Sequence, residues 1–189
     1  MSYHIYQTEG IVLGKYDVGE ADRLFGILTR DFGRITALAQ GVRYIKSKLR
    51  HNLNTFSHSR FGLVMGRDFW RVIDTEELSD WRNIRQSPEK LAVVSKIAEL
   101  INRMVKGEQT DLALWEEVKK ALLFLEESEM SKDEKDLKTF ELLTSVRIMS
   151  HLGYVAEHEK WLNLSFNEAK KMEPLMTSLI NKAFQESQL

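Results

Sequence analysis

Over the first 80 residues the apolar side chains come in short runs rich in β-branched and aromatic types, separated by polar turns. No helical period lasts beyond two turns there. The runs Glu9–Tyr16, Arg23–Thr29, Arg34–Gln40, Thr55–Met65 and Phe69–Thr75 predict strands. Turns fall at Asp17-Val18-Gly19, Asp31-Phe32-Gly33 and Met65-Gly66-Arg67-Asp68. The second predicts a tight hairpin in which Gly33 takes a positive φ that a side chain would resist. Five strands in about 70 residues, with a long loop after the third, suit a small closed barrel of the OB type, although an SH3-like barrel would give the same pattern.

After Trp81 the period changes to that of helices. Ser87-Pro88-Glu89 is a helix start, with Ser as N-cap and Pro at the first helical position. Leu91, Val94, Ile97, Ala98, Ile101 and Met104 follow at helical spacing, and Gly107 is the expected stop. A second helix, beginning after Thr110 or Asp111, buries Leu114, Trp115, Val118, Leu122 and Leu125. Ser131 and Glu134 form a capping-box pattern for a third, whose stripe is Leu137, Phe140, Leu143, Val146, Met149 and Leu152, closed at Gly153. Asn167–Met172 predicts a turn or two of helix. Pro174 opens a last one with Leu175, Met176, Leu179, Ile180 and Phe184 on its inner face. The expectation is an α+β chain, β then α: a small barrel, OB-like or SH3-like, over residues 1–80 and a compact helical bundle over 81–189.

Charge sharpens this division. The total of −1 hides a basic front and an acidic rear: residues 1–71 hold 11 Lys/Arg against 6 Asp/Glu, and residues 72–189 hold 16 against 22. Between Arg30 and Arg71 there are nine Lys/Arg and only two acids, Asp31 and Asp68. A small β-domain with such a cationic stretch suits a polyanion, most simply a nucleic-acid backbone. The absence of cysteine rules out disulfides and thiolate metal sites. No apolar run approaches the roughly 20 residues of a membrane span, and the start MSYHIYQTEG does not read as a signal peptide, so the expected location is the cytoplasm.

The sharpest local signal is the loop Arg43-Tyr44-Ile45-Lys46-Ser47-Lys48-Leu49-Arg50. Arg43, Lys46, Lys48 and Arg50 would pair with phosphates from a mobile loop and Tyr44 would offer a stacking face; the plainer alternative is a solvated surface loop pinned to the barrel by Ile45 and Leu49. Arg34, Arg60, Arg67 and Arg71 extend the candidate surface over the strands. Nothing here reads base edges, so binding would tolerate any sequence. Phe32, Phe56, Phe61, Phe69 and Trp70 could stack on bases, but a barrel of this size needs aromatics inside; of the adjacent pair Phe69 and Trp70, one must face out.

Catalytic and metal chemistry find little support. Gly19-Glu20-Ala21-Asp22-Arg23 places charges at a turn without a partner base or metal ligand, and reads as structural. Asp31-Phe32-Gly33 matches a kinase tripeptide, but the rest of the kinase set is missing. His4, His51, His58, His151 and His158 make no ligand pattern. No catalytic residue, metal or cofactor is assigned.

Three of these segments, EGIVL, GEADR and LTRDFGRITALAQGVRYIKSKLR, together resemble the amino-terminal domain of the RecO family of bacterial recombination mediators. Farther on, FELLTSVRIMSHLGY is similar to the helix that precedes that family's zinc-binding segment. The family often places four cysteines after the Leu-Gly-Tyr; here there are none, which removes zinc and puts in doubt any function of that segment. The resemblance implies an OB barrel, binding of single- and double-stranded DNA, annealing of complementary strands, and help in loading recombinase onto coated single strands. It implies RecR and the acidic tail of single-strand-binding protein as partners, a nucleoid-associated location, and no enzymatic step. Arg103, Lys106, Lys119 and Lys120 are the candidate cationic rim for such a tail on the bundle. An OB-fold RNA- or ribosome-binding protein is the alternative.

Overall fold

The computed structural model describes residues 4–130 and 134–187. The chain divides into two compact units: Met1–Trp81 with Lys106–Leu112, and Arg82–Val105 with Ala113–Leu189.

The first unit is a closed five-stranded barrel of β1 (Tyr6–Val18), β2 (Asp22–Thr29), β3 (Gly33–Ala39), β4 (His58–Met65) and β5 (Trp70–Ser79). Their order around the barrel, β1-β2-β3-β5-β4, is that of an OB barrel, with β3 and β5 parallel and the other pairs antiparallel. β1 closes the ring because its first half pairs with β4 and its second half with β2, with an irregularity between Val12 and Gly14. Alternation along β2 and β3 sends Phe25, Ile27, Ile35, Ala37 and Ala39 inward, where they meet Val12, Phe61, Leu63, Trp70 and Val72. All are nearly or fully buried, and each large one contributes about 1.5–3 kcal/mol of transfer free energy.

One end of the barrel is plugged by aromatics. Tyr6, Phe32 and Trp70 lie with ring centroids 5.1–5.7 Å apart. The segment Lys106–Leu112 completes this unit. The Trp70 indole N–H donates to Glu108 at 3.1 Å, and the Thr110 hydroxyl donates to the Asp31 carbonyl at 2.7 Å. Gly33 has φ +64°, and a Cβ there would lie 2.2 Å from the Gln109 carbonyl oxygen. The hairpin and this close approach both require glycine at position 33.

The second unit is helical. Among the described residues it contains α1 (Arg82–Gln86), α2 (Pro88–Met104), α3 (Leu112–Glu127), α4 (Glu134–His151), α5 (His158–Asn163), α6 (Phe166–Lys171) and α7 (Glu173–Glu186). Ser87 caps α2 by accepting from the Lys90 N–H, with Pro88 in the first turn as its sequence predicts. The capping-box residue Ser131 lies outside the described residues. The α4 stripe from Leu137 to Met149 is buried, with Leu152 half-buried beyond the helix end, but so are Thr139, Leu142, Thr144, Ser145, Ile148 and Ser150 on its other faces, because α2, α5, α6 and α7 all pack on it. Two short helices, α1 and α5, were not predicted. On α7 the expected inner face is corrected: Met176 and Ala183 are buried, while Leu175 is 45% exposed.

Lys90 is 2% exposed, and its ammonium donates to the Leu125 and Ser128 carbonyls at 2.7 and 2.6 Å. A buried cation thus satisfies the carbonyl end of α3, where the helix dipole favours positive charge. None of the helices among the described residues is long and apolar enough to cross a membrane.

Candidate nucleic-acid interface

The long loop after β3 is not free at its base. Its first residues form successive hydrogen-bonded turns, Tyr44 N–H to Gly41 and Ser47 N–H to Tyr44, followed by a 3-10 turn at Lys48–Arg50. Arg43 is tied to the β1–β2 turn. Its backbone N–H donates to Ala21, its guanidinium donates to the Gly19 carbonyl at 3.0 Å, and its Nε stands 3.6 Å from Asp17. Asp17 also accepts from Arg23 at 2.5 Å. That hydrogen bond, with the positive charges of Arg23, Arg43 and Lys15, holds the Asp17 carboxyl below its ordinary 3.8. Arg43 is therefore largely spent on the fold. Leu49 packs on the barrel core as expected, whereas Ile45, expected to pin the loop, is 85% exposed.

The remaining loop cations are different. Lys46, Lys48 and Arg50 are exposed and their side chains make no ion pair or hydrogen bond among the described residues, and the Tyr44 ring is largely open to solvent. On the strands, Arg60 bonds Glu76 across β4 and β5 at 2.6 Å, which neutralises it locally. Arg34 stands half-buried on β3, opposite Leu28. Arg67 and Arg71 are exposed and without a charged or hydrogen-bonding side-chain partner among the described residues.

Arg71 occupies a defined place. The register Leu38↔Arg71↔Val64 puts three side chains in one row across β3, β5 and β4, on the face opposite the core residues Ala37, Val72 and Leu63. The parallel ladder between β3 and β5 has only two pairs, Ala37↔Trp70 and Leu38↔Arg71. Beyond it lies a cleft of about 640 Å³, bounded by Leu38, Gln40, Val64, Met65, Arg71 and Ile73. The β4–β5 turn closes its rim through a Gly66 N–H to Phe69 carbonyl bond of 3.1 Å. A Cβ on Gly66 would meet that carbonyl at 2.2 Å and Arg71 Nε at 3.6 Å.

This cleft was missed in the sequence, although the signal was there. Leu38, Met65 and Ile73 are apolar residues that the barrel leaves open or half-open, beside or between core residues. The aromatics sort as the packing argument predicts. Phe61 and Trp70 are buried, Phe32 and Phe56 are partly covered, and Phe69 is the exposed member of its pair.

The four candidate rim residues of the helical unit are not brought together. Arg103 lies over the Phe184 ring at 4.3 Å, Lys119 over Trp115 at 5.9 Å, and Lys106 falls within the barrel unit. Lys120 alone borders an aromatic cleft of about 350 Å³ with Phe124, Phe140 and Phe166. Where the resemblance would place cysteines, a turn leads into α5, and His151 and His158 meet edge to face at 4.4 Å. Among the described residues no group of three or more His, Asp or Glu is placed to hold a metal.

A closed OB-type barrel with unpaired cations on one loop and one outer face, followed in sequence by helices, defines the class. Residues 1–78 match the family model described as Recombination protein O N terminal. Over 149 residues the chain is 32% identical to the DNA repair protein RecO of Alkaliphilus metalliredigens (strain QYMF), a stretch covering 79% of this chain and 58% of that protein. It is 34% identical over 108 residues to the DNA repair protein RecO of Roseiflexus sp. (strain RS-1), covering 57% and 38%. The corresponding protein of Gloeothece citriformis (strain PCC 7424) is 35% identical over 111 residues, covering 59% and 39%. Through its barrel the chain is similar to the RecO family, and the matched stretches span less than two thirds of these relatives.

Proposed function

We propose that this chain is a non-enzymatic DNA-binding protein of recombinational repair, which binds and anneals DNA strands and helps load recombinase onto coated single strands. The observation that carries this reading is the set of unpaired cations, Lys46, Lys48, Arg50, Arg67 and Arg71, on a barrel similar to that of the RecO family. Annealing needs no covalent step. A cationic surface lowers the mutual repulsion of two phosphate backbones and releases their counterions. RecR and the acidic tail of single-strand-binding protein are the proposed partners. For the tail, the Phe124–Phe140–Phe166 cleft with Lys120 at its edge supplies an apolar slot beside a cation.

The test is annealing of complementary strands coated with single-strand-binding protein, with and without RecR. Acceleration by the chain, greater with RecR, is expected. Failure to accelerate, or displacement of bound DNA by matched RNA at lower concentration, would transfer the chain to the RNA-binding alternative.

A further inference from the structure

We propose that the cleft where β3 and β5 part receives a single unstacked nucleobase, with Arg71 and Arg67 taking the flanking phosphates, so that the barrel prefers single strands to duplex. This rests on the DNA-binding reading above and adds to it a site and a strand preference.

The geometry suits a base better than a bare phosphate. Leu38 and Val64 flank Arg71 in its row and give the cleft an aliphatic floor, while the Arg71 Nε lies against Gly66 at the rim. A planar ring laid on that floor would meet aliphatic side chains on one face and leave the guanidinium free for the adjoining phosphate. The 640 Å³ volume lies within the range of small-ligand sites, about 300–1,000 Å³. Among the described residues no carboxylate lines the cleft, and the only neutral polar side chain there is the Gln40 amide. The wall residues Ile73 and Met65 are 46% and 61% exposed, an apolar surface left to solvent.

The cations around it argue for a nucleic-acid strand over an acidic peptide. β3 runs from Leu38 and Gln40 in the cleft directly into the loop that carries Lys46, Lys48 and Arg50. Positive charge therefore continues along the chain away from the cleft, as the backbone on either side of an inserted base would require. A base paired and stacked in duplex cannot enter, which gives the strand preference. One amide cannot distinguish four bases, so the site tolerates any sequence.

The test uses the whole chain and fluorescence anisotropy with three labelled probes of equal length: oligo-dT, an oligomer of abasic sites with the same phosphates, and a duplex. Wild type should bind oligo-dT about tenfold more tightly than the abasic strand, the scale of one base contact. Ile73→Gln combined with Met65→Gln should erase that difference while leaving abasic and duplex binding unchanged. Arg71→Met should weaken oligo-dT and abasic strand alike; far-ultraviolet circular dichroism checks that each variant folds. Equal binding of oligo-dT and abasic strand by wild type would overturn the cleft proposal while leaving the DNA-binding reading intact. Binding of no probe by wild type would overturn both. A labelled acidic peptide with an apolar end that binds wild type and is lost on Ile73→Gln/Met65→Gln would reassign the cleft to a protein partner.

Discussion

Replacing Lys46, Lys48 and Arg50 together with Ala should make DNA binding less sensitive to salt by a calculable amount. These are the loop cations whose side chains make no ion pair or hydrogen bond among the described residues, so each is free to meet a phosphate. On a single strand each lost contact reduces the slope of log K against log salt by about 0.7, so the triple variant should be shallower by about 2. Over a tenfold rise in salt, wild type should then lose about a hundredfold more affinity than the variant. Arg43 marks the limit of the argument. Its guanidinium is held by the Gly19 carbonyl and faces Asp17, so adding Arg43→Ala should leave the slope unchanged. Anisotropy titrations with oligo-dT over a salt series measure both. A triple variant with the wild-type slope, or a larger change from Arg43→Ala than from the other three, would refute the reasoning.

Three further outcomes follow from the packing. Gly33→Ala should destabilise the barrel by about 3 kcal/mol, since it combines a left-handed φ with a backbone clash; an unchanged thermal midpoint would contradict the close approach of Gln109. Asp17 has its folded pKa depressed by Arg23, so the anchoring it gives is present above pH 3.8 and is lost as pH falls through the lower folded value. A carboxyl titration by NMR should place its midpoint below 3.8 in wild type and higher in Arg23→Met; equal midpoints would dismiss the pairing. Lys90→Met should cost the helical unit about 2 kcal/mol by stripping donors from two carbonyls at the end of α3, read as a lower denaturant midpoint, and no change would show that water replaces the ammonium.

The strands and the main helices were legible because their signals are local. Alternation in β2 and β3, Gly33 in its hairpin and Ser87-Pro88 at the start of α2 each act within a few residues. The face of α4 was legible only in part: a helix wrapped by four neighbours buries small polar residues such as Thr144 and Ser145, which the period treats as outward. The candidate site was legible as a charge excess but not as a map. Whether a cation is free depends on acids far along the chain. Asp17 is 26 residues from Arg43, and Glu76 is 16 residues from Arg60 across a strand pair. The cleft escaped because it arises where two strands diverge, and divergence leaves no mark on either strand alone.

The contribution of residues 106–112 to the barrel sets a timetable for its birth on the ribosome. The last strand ends at Ser79, yet the acceptor for the Trp70 indole comes 38 residues after that tryptophan, and Thr110 bonds a carbonyl 79 residues upstream of it. At about 5–20 residues per second, the emerging strands wait roughly 2–6 s for these partners after residue 81 is made. During that interval the aromatic end of the barrel is unfinished, with Phe32 and Trp70 short of their full cover. Chaperone capture and nascent-chain aggregation should therefore peak while α2 is leaving the exit tunnel and fall once residue 112 has followed it.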